Sequence, residues 1–135
     1  MTDCHDWFAE VAETLVRYVV AKAGFEVFGQ SEWGADLAIQ ERSLRRWIRC
    51  EVRSSDCSTN PQQKSAAKLA EIAELEACVC LTGATTFQIG FFKLNSRGCR
   101  EVEFAGGPAI RHIYVSPEAL SQWLHCHYFQ SDGTI

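Results

Sequence analysis

Between Arg46 and Ser54 the chain alternates strictly: Ile48, Cys50 and Val52 are apolar, and Arg49, Glu51 and Arg53 between them are charged. Successive side chains of a β-strand point to opposite faces, so a period of two makes a strand with one face toward a core and the other polar. Such a strand needs hydrogen-bonded neighbours and a layer over its apolar face. The chain is therefore expected to build a sheet that is covered on one side at this point.

The flanking segments supply the neighbours and the cover. Over about 6–23, Phe8, Val11, Ala12, Leu15, Val16, Val19, Val20 and Ala23 recur at three- and four-residue steps, which is an amphipathic helix, and Gly24 ends it as a C-cap. Residues 25–28 and 35–40 read as strands around a turn over 29–34. Asn60-Pro61 is an N-cap and first-turn proline opening a helix through about Leu75, with Ala66, Leu69, Ala70, Ile72 and Ala73 inward. Strands are expected over 78–81 and 86–92, with Gly83 between them. Less regular strand candidates, 100–104 and 110–115, flank the Gly106-Gly107-Pro108 turn. Ser116-Pro117-Glu118 opens a last helix through about Phe129. Three consecutive strands suggest an antiparallel meander, and the strand-helix-strand unit over 46–82 suggests a right-handed crossover to a parallel neighbour. The expectation is an α/β fold, a mixed central sheet flanked by helices, in one domain over 1–135.

With 135 residues, 47% hydrophobic and 22% charged, the chain is of the size and composition of one ordinary globular domain. No apolar run reaches the roughly 20 residues needed to cross a bilayer, and the start lacks a signal-peptide pattern, so no membrane and a cytoplasmic location are expected. Seven scattered cysteines then read as free thiols without a disulfide framework. The net charge of −4 argues against indiscriminate coating of nucleic acid. Yet Arg42, Arg45, Arg46, Arg49 and Arg53 face a single acid, Glu51, between positions 42 and 53, a basic island in an acidic chain.

The carboxylates carry the chemistry. Asp36 opens the second strand on the side opposite Leu37 and Ile39, and a hairpin around Ser43 and Leu44 would bring it near Glu51. Two carboxylates that close repel unless a cation lies between them. Mg²⁺ is the natural occupant, held by one or two carboxylates, a backbone carbonyl and waters. Arg53 on the same face would then meet a phosphate. Glu13 is the third acid, because it borders the apolar stripe of the first helix, whereas Glu10 lies on the solvent side.

The order "AETLVRYVVAKAGFEVF", "GADLAI" and "CEVRSS" resembles the core of the PD-(D/E)XK nuclease superfamily, in particular its restriction endonuclease-like and Holliday junction resolvase-like members. Glu13, Gly24-Phe25, Asp36 and Glu51-x-Arg53 sit at matching places, and the likeness covers about 6–82, leaving 83–135 unmatched. The resemblance implies a restriction endonuclease-like αβββαβ core and an Mg²⁺- or Mn²⁺-dependent endonuclease acting on DNA. It implies that Asp36, Glu51 and the carbonyl of Val52 hold the metal, with Glu13 binding directly or through water, and that Glu13, Asp36, Glu51 and Arg53 are the catalytic set. Arg45, Arg46, Arg49, Gln62, Gln63 and Lys64 are the expected substrate-binding residues. A homodimer would supply one site for each strand.

Arg53 departs from the family, which has lysine there. A guanidinium stays protonated and can orient phosphate, but it is a poor acceptor of a proton from water. Lys64 or Lys68 is the candidate for a displaced ammonium. The alternative is a catalytically weakened nuclease-fold domain that binds nucleic acid or a protein partner; a plain interaction domain is the third class. Singly, Glu51 and Arg53 read as an exposed ion pair, Asp36 as a turn residue and Glu13 as a surface acid; their joint order favours the site. Cys78-x-Cys80 and His125-Cys126-His127 fit no common zinc spacing.

Overall fold

The alternating run is the longest strand of the sheet, Arg46–Asp56, and it lies between two others. The computed structural model describes residues 4–29, 36–43, 45–56, 65–81, 87–104 and 115–130. Within them the chain forms α1 (Cys4–Lys22), β1 (Glu26–Gly29), β2 (Leu37–Glu41), β3 (Arg46–Asp56), α2 (Ala66–Ile72), β4 (Leu75–Leu81), β5 (Phe87–Leu94), β6 (Arg100–Phe104) and α3 (Pro117–His127). The six strands stand in chain order in one sheet. β1, β2 and β3 form an antiparallel meander, β3 and β4 are parallel across α2, and β5 and β6 continue antiparallel. This is the mixed sheet expected from the sequence.

One face of the sheet carries the main core. Leu37, Ile39, Ile48, Cys50, Leu75, Ala77, Val79, Ile89 and Phe91 alternate inward along the strands and meet Phe8, Ala12, Val16 and Val20 of α1 and Leu120 and Leu124 of α3. The stripe on α1 is the one its spacing predicts. Its end is also as expected: Gly24 adopts φ +102°, and the Phe25 N–H reaches back to the Val20 carbonyl at 3.4 Å. The opposite face carries Arg49, Glu51 and Arg53, and the shorter α2 packs there with a small apolar cluster of Leu69, Ile72, Ala73 and Leu94.

The boundary after α2 differs from the sequence reading. The helix stops at Ile72, Ala73 is already extended at φ −152°, and β4 begins at Leu75, where the helix was expected to run to about Leu75 and the strand to start at Cys78. The cause is a second period-two run: Leu75, Ala77 and Val79 are all fully or nearly fully buried. The backbone is recruited at Glu74, whose N–H bonds the Arg49 carbonyl and whose own carbonyl accepts the Leu94 N–H, both at 3.0 Å. Sheet pairing thus overrides helix propensity there. The last helix opens as its sequence predicts, on an Ser116 hydroxyl that accepts the Ala119 N–H, and it ends at His127. The Asn60-Pro61 cap and the 110–115 strand candidate lie outside the described residues, where α2 is described from its Ser65 cap onward. Cys50, Cys78, Cys80, Cys99 and Cys126 are free thiols, and among the described residues no helix is long and apolar enough to cross a membrane.

Candidate functional site

Pairing of β2 with β3 begins at Leu37 and Cys50, one residue after Asp36. Asp36 takes over where the ladder stops: its Oδ2 accepts the Val52 N–H at 2.8 Å, a bond a longer β2 would have made through its backbone. A strand residue sends its N–H and C=O toward the same neighbour, so the Val52 carbonyl faces this side as well. Glu13 on α1 is close enough to feel Asp36. Burial first, and then the negative charge of Asp36, hold the Glu13 carboxyl above its ordinary value, with Arg17 pulling the other way. Glu13, Asp36 and the Val52 backbone therefore meet at one strand end.

Glu51 and Arg53 belong to the other face. Glu51 alternates with core-facing Cys50 and is only 3% exposed, beside Glu76 in the parallel ladder. Arg53 turns to Glu76 too. Its Nη1 lies 2.9 Å from Glu76 Oε2, and the two side chains are 11% and 1% exposed. Arg100 closes the other side of the same carboxylate, with Nε 2.7 Å from Glu76 Oε1. Its guanidinium lies 3.8 Å above the Phe92 ring and donates through Nη2 to the Cys78 sulfur at 3.2 Å. Glu76 is thus a fully buried acid clamped by two arginines. Burial, more than the neighbouring Glu76 charge, pushes the Cys78 thiol up to about 11, so at neutral pH it is uncharged.

The basic island divides in the same way. Arg49 gives Nε and Nη2 to Glu74 and Nη1 to the Glu71 carbonyl, and the Glu74 hydrogen bond raises its pKa further. Arg46 donates Nη1 to the Gln130 carbonyl at 3.1 Å. Arg42 and Arg45 are exposed at the β2–β3 turn, Arg45 with φ +54°. Lys68 is exposed on α2. Gln62, Gln63 and Lys64 lie outside the described residues.

The metal set implied by the resemblance can be tested against these positions. Glu13, Asp36 and the Val52 backbone lie close together, and the neighbouring Glu51 pairs with Glu76 in the β3–β4 ladder. Among the described residues no three His, Cys, Asp or Glu side chains come together as a metal-holding group.

Reading the sequence missed Glu76, Glu74 and Arg100. A signal existed for Glu76: in Leu75-Glu76-Ala77-Cys78-Val79 it occupies the polar phase of an alternating strand parallel to β3. Comparison with family models, curated proteins and solved structures finds no match to this chain.

Proposed function

We propose that the chain is a catalytically weakened nuclease-fold domain, with a restriction endonuclease-like αβββαβ core, that binds nucleic acid. The observation that carries this reading is the pairing of Arg53 with Glu76. The residue standing where the family places its lysine is mostly buried and held by a carboxylate that is 1% exposed. A guanidinium so held does not accept a proton from water, as the general base of a nuclease must. Nucleic-acid binding is supported by Arg42 and Arg45, both exposed at the tip of the β2–β3 hairpin. Such contacts hold phosphate without reading sequence.

A second reading, an Mg²⁺- or Mn²⁺-dependent DNA endonuclease, is favoured by the nearness of Glu13 to Asp36, since paired carboxylates are what a divalent cation binds. Incubation of supercoiled plasmid and branched DNA with the protein in Mg²⁺ or Mn²⁺, beside Asp36→Ala and Arg53→Lys, separates the two. The weakened domain retains labelled DNA in a salt-dependent way and cuts no faster than Asp36→Ala. Cleavage by the wild type that Asp36→Ala abolishes would establish the enzyme instead. Absence of DNA retention removes the nucleic-acid reading altogether.

A further inference from the structure

A cleft of about 260 Å³ opens on the α2 side of the sheet. Arg53, Glu76 and Arg100 line it, with Ala66 from α2 and Gly98 and Cys99 from the β5–β6 turn. Its side is closed by a tight fit: a Cβ on Gly98 would stand 1.9 Å from the Ala66 carbonyl oxygen. Two guanidinium groups against one carboxylate leave one positive charge in excess on the lining. Glu51, buried on the same sheet face, is not part of the lining.

The donors also exceed the acceptors. Arg53 uses Nη1 on Glu76, while its Nε is buried with no hydrogen-bond partner among the described residues. Buried N–H groups are nearly always partnered, and those of charged groups most of all. Arg100 uses Nε on Glu76 and Nη2 on Cys78, a thiol that is neutral and a weak acceptor, with the charge of Glu103 also nearby. The Phe92 ring lies 3.8 Å from that guanidinium, and the Arg100 side chain stays 43% exposed.

We propose that this cleft binds a phosphate monoester, bridged between the Arg53 and Arg100 guanidinium groups. Three terminal oxygens can accept from guanidinium groups on both walls at once without displacing Glu76, and the ligand charge answers the excess on the lining. The phosphate belongs either to a free small molecule or to the end of a nucleic-acid strand; only the second source rests on the function proposed above.

Calorimetric titration of the full chain with inorganic phosphate at neutral pH, against chloride at matched ionic strength, tests the site. Arg100→Lys keeps the charge and loses the fork, and Ala66→Phe fills the mouth from an exposed helix position without touching either arginine. Saturable binding to the wild type, weakened about tenfold or more in both variants while each still melts cooperatively, is the expected result. No saturable uptake by the wild type, or uptake unchanged in both variants, overturns the proposal. A second arm compares a 5′-phosphorylated oligonucleotide with its 5′-hydroxyl counterpart. Preference for the phosphorylated strand supports the strand-end source, and equal binding overturns that source in favour of a free phosphate. Phosphate uptake without binding of any strand overturns the nucleic-acid reading and leaves the cleft standing.

Discussion

Glu13 borders the apolar stripe of α1, where burial and the charge of Asp36 raise its pKa above the ordinary 4.5. A raised carboxyl pKa means that the folded chain holds the proton more tightly than the unfolded one. Its contribution to stability is fully present below the unfolded value and is lost as pH rises through the folded value. At pH 7 the ionised Glu13 is therefore a cost to the fold. Glu13→Gln, which cannot ionise, should melt above the wild type at about pH 7, with the gap closing at about pH 4. Thermal denaturation at the two pH values checks this; a gap of equal size at both would show that titration is not its cause. The acid at the helix border was legible from the stripe alone. The partners of Glu76 were not, because they stand 23 and 24 positions away in the chain, and only the parallel pairing of β3 with β4 brings Arg53 near it.

Elements were legible where a single period dominates. The steps of three and four on α1 and the alternation on β3 survive folding unchanged, because each stripe faces one continuous core. The boundary at Ile72–Leu75 was hidden for the opposite reason: Leu69, Ile72 and Ala73 serve a small cluster on one face while Leu75 and Ala77 serve the main core on the other. A stretch that changes faces reads as one long helix until its sheet partner is known. Two glycines show how element ends depend on backbone shape and on space. Both adopt positive φ, +102° at Gly24 and +82° at Gly98, but a Cβ at Gly24 meets nothing within 4 Å, whereas at Gly98 it strikes the first turn of α2. Gly24→Ala should cost about 1 kcal/mol from backbone strain. Gly98→Ala adds an overlap with backbone and should cost about 3 kcal/mol. Urea denaturation of the two variants measures the difference, and equal losses would mean that the turn and the helix do not abut.

At the largest scale, the order of strands sets β4 and its Glu76 beside β3. Glu13 and Asp36 lie near each other at the start of β2, and Glu51 and Arg53 stand beside the buried Glu76 of the parallel strand. Alternation along β3 revealed that Glu51 and Arg53 share a face; it could not reveal that β4 would bring an acid to the same face and take up the arginine. The exposed charge that remains on the β2–β3 hairpin tip is Arg42 and Arg45, in a chain of net −4. If these two meet phosphate, the Arg42→Gln, Arg45→Gln double variant should lower the slope of log affinity against log salt by about two for duplex DNA, with the melting temperature little changed. An unchanged slope would move the DNA-contacting surface elsewhere.

In the function proposed above, Arg53 serves the fold through Glu76 in place of a catalytic lysine. A double-mutant cycle of Arg53→Met and Glu76→Gln, read by urea denaturation, tests it directly. Breaking a buried pair from one side costs about 3–5 kcal/mol, and replacing both partners together costs less than the two losses added. A coupling of about 2 kcal/mol or more between the two positions is the expected result. Additive losses, with a coupling near zero, would contradict it and return Arg53 to the candidate catalytic set.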